Sequence, residues 1–202
     1  VEFVSRHSGV TLNLTVHNRE EHLGQLALNL TDLAIMVRPP IDMDTVNESF
    51  APHPYVIVAP PNHALVGKKR ISMETLKREA FVVREKGSDT WNSMEDGFGD
   101  QLKSLHIAME IKSTETIKQA VIAGMGISFL SAHTISVELK AKSLAILDVR
   151  GFPVMLNWYV VHRRNKRLPP VALAFKNFLM TGGARLIEKF VPSPVKPSPT
   201  RK

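Results

Sequence analysis

Four small or polar residues, Gly87-Ser88-Asp89-Thr90, separate a short apolar run at Phe81 to Val83 from a helical pattern beginning at Trp91. A strand running into such a loop at a helix amino terminus presents unbonded N–H groups beside hydroxyls, which suits a carboxylate or phosphate. The same residues fit a plainer role, with Ser88 capping the helix, and Asp89 would repel an anion. A second pair of hydroxyls, Ser113 and Thr114, opens another helix. Arg38, followed by Pro39, stands where an apolar run stops. In open α/β sheets ligands bind at the carboxyl ends of strands, so Arg38, Ser88, Thr90 and Thr114 are candidates to converge on one cleft. Each taken alone also fits a structural role.

Other chemistry finds no support. Gly124-Met-Gly126 begins like a dinucleotide fingerprint, but the third glycine is absent. Its order is helix, glycines, strand, whereas a phosphate cradle needs strand, glycines, helix. Of the eight histidines, His17 and His22 are five apart and share no helix face, and no His-Glu-x-x-His or comparable metal cluster occurs. There is no Gly-x-Ser-x-Gly nucleophile elbow, and Asp96-Gly-Phe-Gly99 is neither a kinase metal motif nor a calcium loop. No cofactor is expected, and no enzyme.

The elements that would position these residues follow from periodicity. Thr11 to Val16 alternates as a half-buried strand. Asn18 caps a helix with Glu21 three residues on, and Leu23, Leu26, Ala27 and Leu30 form its stripe. Leu33 to Val37 reads as a covered strand, Glu48 to Phe50 as a short one and Tyr55 to Ala59 as another, closed by Pro60-Pro61. Ser72 caps a short helix through Leu76, and Phe81 begins the next strand. Met94, Phe98, Leu102 and Leu105 line a helix weakened by Gly97 and Gly99. Ile107 to Ile111 is a strand. Ser113 then caps a helix whose buried face is Ile117, Ala120 and Val121, ended by Gly124 and followed by a core strand at Ile127 to Leu130. A helix from Ala132 to Lys140, strands at Leu144 to Asp148 and Leu156 to Val161, and a helix from Pro169 to Gly182-Gly183 complete the order. Repeated strand–helix alternation predicts an α/β fold with largely parallel sheets. A hinge near residue 60 and a return near 155 suggest two lobes, the second inserted into the first.

Composition bounds the rest. A chain of 202 residues can bury a substantial core, and no apolar run approaches the roughly 18 residues of a membrane span. The absence of cysteine excludes disulfides and thiolate metal sites and is compatible with a reducing cytoplasm. The net charge of +7 is unevenly spread: residues 156 to 202 carry ten Lys or Arg and one acid, leaving the body nearly neutral. The basic, proline-rich stretch 191–202 reads as a disordered tail, with a phosphate-binding arm as the sharper alternative. With no initiating Met, and with Val1, Phe3 and Val4 resembling the last turns of an amphipathic helix that stops at Gly9, the sequence reads as a fragment of a longer protein.

The pattern Ser113-Thr-Glu-Thr-Ile-Lys-Gln-Ala-Val-Ile-Ala-Gly-Met-Gly-Ile127 resembles the effector-binding domain of LysR-type transcriptional regulators. So do Phe3 followed by His7-Ser-Gly-Val10, Asp32-Leu-Ala-Ile35, Ala59-Pro-Pro-Asn-His63 and Val160-Val-His-Arg163. Asn18-Arg-Glu-Glu21, Met36-Val-Arg-Pro-Pro40 and Arg84-Glu-Lys-Gly-Ser88 are most similar to regulators of Calvin-cycle (RuBisCO) operons. The resemblance implies two Rossmann-like lobes of the periplasmic-binding-protein-like type, joined by two crossover strands. Residues 1–59 plus 156–190 would form the first lobe, with its first strand missing, and 60–155 the second. It also implies a metabolite in the cleft, held by Arg38, Pro39, Lys86, Ser88, Thr90, Ser113, Thr114 and Lys118. Sugar phosphates, other phosphorylated or carboxylate metabolites, or NADPH are the effectors it suggests. Further implications are a cytoplasmic homodimer or homotetramer, contact with DNA only through an absent winged helix–turn–helix, and no membrane. One departure stands out: relatives often read Gly-Ser-Gly-Thr-Arg where this chain has Gly87-Ser88-Asp89-Thr90-Trp91, which replaces a cation. A solute-binding receptor of a transport system shares the architecture and is the alternative.

Overall fold

The computed structural model describes residues 2 to 190, so the tail at 191–202 lies outside the described residues. In chain order the helices are α1 (Glu2–Arg6), α2 (Arg19–Ala27), α3 (Met73–Leu76), α4 (Asp89–Phe98), α5 (Thr114–Ile122), α6 (Ser136–Lys140) and α7 (Pro170–Phe190). The strands are β1 (Ala34–Met36), β2 (Thr45–Ala59), β3 (Ala80–Arg84), β4 (His106–Ile111), β5 (Ser128–Ser131), β6 (Ala145–Ile146) and β7 (Val154–Arg163). Two compact units divide them: unit 1 runs through Pro52 and resumes at Asn157–Phe190, and unit 2 is His53–Leu156. The chain therefore crosses between units twice, within β2 and within β7. Residues 59 and 60, where the sequence places a hinge, fall at the end of β2.

In unit 1, Asn18 Oδ1 accepts the Glu21 N–H at 2.9 Å and starts α2, while the Glu21 carboxylate is engaged by His17. Leu26 of α2 packs with Ala34, Met36 and Val161. Phe3 of α1 is buried edge-on to the rings of Phe175 and Phe178 on α7. In unit 2, Val56, Val58, Val82, Ile117, Val121 and Leu130 form a core between the strands and α5. Here β3 and β4 pair in parallel from Ala80 with His106 to Arg84 with Ile111, with a one-residue shift in register between Phe81 and Val82. Both strands thus end at one edge, and α4 and α5 begin there.

The fold departs from several sequence expectations. Thr11 to Val16 is not a strand: Leu14 and Val16 are 83% and 87% exposed. A period-two pattern earns a strand only when a partner and a covered face exist, and no pairing is seen there among the described residues. In α2 the stripe shrinks to Leu23 and Leu26, because Ala27 and Leu30 are exposed. The two short strands expected at 48–50 and 55–59 are one, β2, which carries Pro52 and Pro54. Residues two apart point their N–H groups to the same edge, so both missing donors fall on one side and the other edge keeps its ladder. Largely parallel pairing holds for β3 with β4 only in part of the molecule. β1 with β7, and β2 with β5 and β6, pair antiparallel.

The glycines divide by physical role. Gly182-Gly183 does not end α7, which continues to Phe190. A Cβ at Gly183 would lie 2.7 Å from the Phe50 ring, so this glycine serves close approach, not termination. Gly99, at φ +54°, does stop α4, and a 3₁₀ turn from Gly99 to Ser104 carries the chain on. Gly124 closes α5 as expected, with φ +80°: its N–H donates to Val121 O at 2.9 Å and the Met125 N–H to Ala120 O at 3.0 Å, the paired bonds of a Schellman ending. Gly126 is tighter still. Its φ is +151°, and a Cβ there would lie 2.4 Å from the Ala80 carbonyl oxygen. Gly126→Ala is therefore expected to destabilise by about 3 kcal/mol and Gly124→Ala, which faces open space, by about 1 kcal/mol. Urea unfolding of the two variants measures the difference, and equal midpoints would refute the packing role.

Candidate functional site

The carboxyl edge of β3 and β4 collects the hydroxylated candidates in unit 2. After Arg84 ends β3, Glu85 to Ser88 close a turn in which Gly87 has φ +83°. The Ser88 N–H and hydroxyl both donate to Glu85 O, at 3.2 and 2.8 Å. Ser88 Oγ also accepts the Trp91 N–H at 3.1 Å, and its side chain is buried. Ser88 is thus the cap of α4, with its donor already used. Thr90, half-buried, lies one residue into the helix, where backbone N–H groups have no intrahelical acceptor.

Across the parallel pair, Ser113 Oγ accepts the Thr116 N–H at 3.2 Å and caps α5. Thr114, the first residue of α5, receives a hydrogen bond on Oγ1 from Arg84 NH1 at 2.9 Å. Two helix amino termini, each nine or ten residues long, therefore start side by side from one strand edge. Their partial positive charges favour an anion or an acceptor oxygen. Lys86 contributes an exposed cation, its Nζ 5.8 Å from the Trp91 ring centroid. Trp91 itself is buried and belongs to the core.

Lys118 has a different setting. Its ammonium donates to Glu138 Oε1 at 2.7 Å and to Thr134 O at 3.3 Å, and pairs with Glu115 Oε2 at 2.7 Å. Three donors meet three acceptors. Burial works to lower its pKa, but the hydrogen bonds and charges of Glu115 and Glu138 outweigh it and hold the ammonium above its ordinary value. Arg38 and Pro39 belong to unit 1, in the half-buried turn after β1, where the Arg38 carbonyl accepts from Arg19 NH1 at 2.5 Å. The unit 2 set thus comprises Lys86, Ser88, Thr90, Ser113 and Thr114, with Lys118 on the next turn of α5.

Sequence patterns passed over two features. Arg84 touches Thr114 and the Glu85 carboxylate, and the motif Arg84-Glu-Lys-Gly-Ser88 carried a resemblance but no role for it. His53 and His133, eighty residues apart, bring their Nδ1 atoms to 3.2 Å, with the His53 ring 4.8 Å from that of Tyr55. Burial, then the neighbouring His133, push the His53 pKa down to about 3, and burial lowers His133 too. No group of three or more metal-ligating side chains occurs among the described residues.

These settings make two predictions. His53 is neutral when folded but takes a proton near pH 6.5 when unfolded, so its contribution is complete above that pH and is lost as pH falls from about 6.5 towards 3. The stability difference between the parent and His53→Gln should therefore change below pH 6.5 by about 1.4 kcal/mol per unit for one proton, and a constant difference would exclude the linkage. Lys118→Met should cost about 3 kcal/mol in urea unfolding at neutral pH, because it leaves the Glu138 carboxylate buried without its cation.

Residues 1–184 match the family described as the LysR substrate binding domain. Among curated relatives, a RuBisCO operon transcriptional regulator of Allochromatium vinosum is 43% identical over 184 residues, covering 91% of this chain and 61% of that protein. The HTH-type transcriptional regulator CbbR of Rhodospirillum rubrum is 46% identical over 177 residues, covering 88% and 58%. The chain thus spans about three fifths of the length of these relatives. Among solved structures, the CcmR regulatory domain of Synechocystis PCC6803 in complex with 2-PG superposes with a TM-score of 0.84 at 36% identity, covering 89% of this chain and 86% of that one. The effector binding domain of QuiR in complex with shikimate shares the fold, with a TM-score of 0.79 at 17% identity over 90% and 87% of the two chains.

Proposed function

The chain belongs to the LysR substrate-binding family, and on that footing we propose that it senses a small anionic metabolite for a transcription regulator of CO2-fixation genes. The observation that carries this is the pair of helix amino termini at the β3–β4 edge, with Thr90, Ser113 and Thr114 beside them and Lys86 above. Its relatives are named as RuBisCO operon and CbbR regulators, and the CcmR domain, 36% identical, is a complex with 2-PG. These names favour a regulator over the solute-binding receptor.

The effector's anionic group is held mainly by backbone N–H groups and hydroxyls. Those dipoles are fixed before the ligand arrives, so little ordering is needed on binding. Lys86 adds one flexible charge. Phosphorylated or carboxylate metabolites fit this set; NADPH fits through its phosphates. Binding shifts the domain between states only by its differential affinity for them. The work is sensing, without catalysis. On the same reading the whole protein is a cytoplasmic homodimer or homotetramer that meets DNA through a winged helix–turn–helix outside this chain. No helix among the described residues is long and apolar enough to cross a membrane.

Calorimetric titration with 2-PG is expected to show saturable binding, weakened about tenfold by Thr114→Val through loss of one hydroxyl contact to a charged group. Silence with 2-PG, with other phosphorylated metabolites and with NADPH would overturn the assignment.

A further inference from the structure

Arg84 is held on three sides at the carboxyl end of β3. Its Nε and NH2 grip the Glu85 carboxylate at 2.8 and 3.0 Å, and NH1 donates to Thr114 Oγ1 at 2.9 Å. The two charged side chains are 19% and 18% exposed, so the bidentate pair is largely sheltered from water. Burial alone would raise the Glu85 carboxyl, but the Arg84 hydrogen bonds, its own backbone N–H and the nearby charges of Arg84 and Lys112 hold it below the usual range. The guanidinium charge is answered inside the unit.

Connectivity gives this arrangement a consequence. Glu85 O is the acceptor for both Ser88 groups, and Ser88 caps α4, so the grip on Glu85 fixes the turn that starts α4. The third bond reaches the first residue of α5. One planar guanidinium therefore spans two helix amino termini, which a lysine's single ammonium would not do with the same geometry. A hydroxyl has one hydrogen and two lone pairs. With Arg84 on one lone pair, the Thr114 hydroxyl still has its hydrogen to donate to a ligand.

We infer that Arg84 is the positioning residue of this site: it orients the Thr114 hydroxyl towards an acceptor oxygen of the ligand and sets the spacing of α4 and α5 without touching the ligand. The inference rests on the effector site proposed above and narrows its ligand class. The group at Thr114 is a carboxylate, phosphoryl or carbonyl oxygen, and the guanidinium supplies geometry in place of charge.

The test uses Arg84→Gln together with Glu85→Gln, which removes the pair and leaves the net charge unchanged. In the parent background this double change should weaken 2-PG binding about five- to tenfold; in a Thr114→Val background it should weaken it less than twofold, because the hydroxyl that Arg84 orients is gone. Arg84→Lys, which can reach Thr114 or Glu85 in turn, should recover part of the loss. Equal losses in both backgrounds would mean that Arg84 does not act through the Thr114 hydroxyl, and would overturn the inference. If the parent takes up no 2-PG, the effector assignment fails for that compound and Arg84 is judged separately by amide hydrogen exchange. The paired Gln variant should then speed exchange at both Asn92 and Ile117, in the first turns of α4 and α5, and unchanged exchange at Ile117 would overturn the positioning role.

Discussion

The Ala80 carbonyl at the start of β3 is the contact on which unit 2 depends. It accepts the Ile127 N–H at 2.8 Å and leaves no room for a side chain at residue 126. The Ile127 carbonyl then accepts the Val82 N–H at 2.9 Å, which locks the chain leaving α5 against β3. Because α5 must end there, in the Schellman bonds of Gly124 and Met125, its amino terminus falls at the opposite edge beside that of α4. Packing at one end of the strands thus dictates where the hydroxyls and unbonded N–H groups stand at the other. The glycines that resemble a phosphate loop are architectural, and the polar chemistry lies a helix length away.

Local chemistry was legible wherever the determining partner is near in sequence. Asn18, Ser72, Ser88 and Ser113 all cap the helices their spacing predicts, since a cap needs only a hydroxyl or amide and the amide three residues on. Gly124 was readable for the same reason. Gly183 was not, because its role is set by Phe50, far away in the chain. Prolines 52 and 54 break a strand in a one-dimensional pattern, yet both omit donors along the same edge of β2. Thr11 to Val16 shows the converse: correct alternation without a covered face makes no strand. At the site, Thr90, Ser113 and Thr114 were visible as hydroxyls at helix starts. The role of Arg84 was not readable, because it depends on a partner thirty residues on.

Two sheltered cations, half-buried Arg84 and buried Lys118, set the electrostatics of this unit, and both are spent internally. Arg84 is paired with Glu85, and Lys118 with Glu138 and Glu115. Desolvating a charge is costly unless it is paired, so neither cation remains available to a ligand without giving up an existing bond. What remains is the exposed Lys86 and Lys112 and the aligned dipoles of two helix starts. The attraction this edge offers an anion comes from partial charges on fixed backbone, with Asp89 in the first turn of α4 opposing it.

The same economy extends to the strand that leaves the unit. The covalent chain enters unit 2 at His53, between Pro52 and Pro54 on β2, and leaves it within β7. Each proline fixes φ and so removes local freedom on either side of a buried histidine. His53 is in turn held neutral against His133, whose turn is tied by the Thr134 carbonyl to Lys118 of α5. Lys118, Thr134, His133 and His53 thus join α5 to β2 inside unit 2 by packed and hydrogen-bonded groups, and the two prolines restrict the backbone on which that chain of contacts ends.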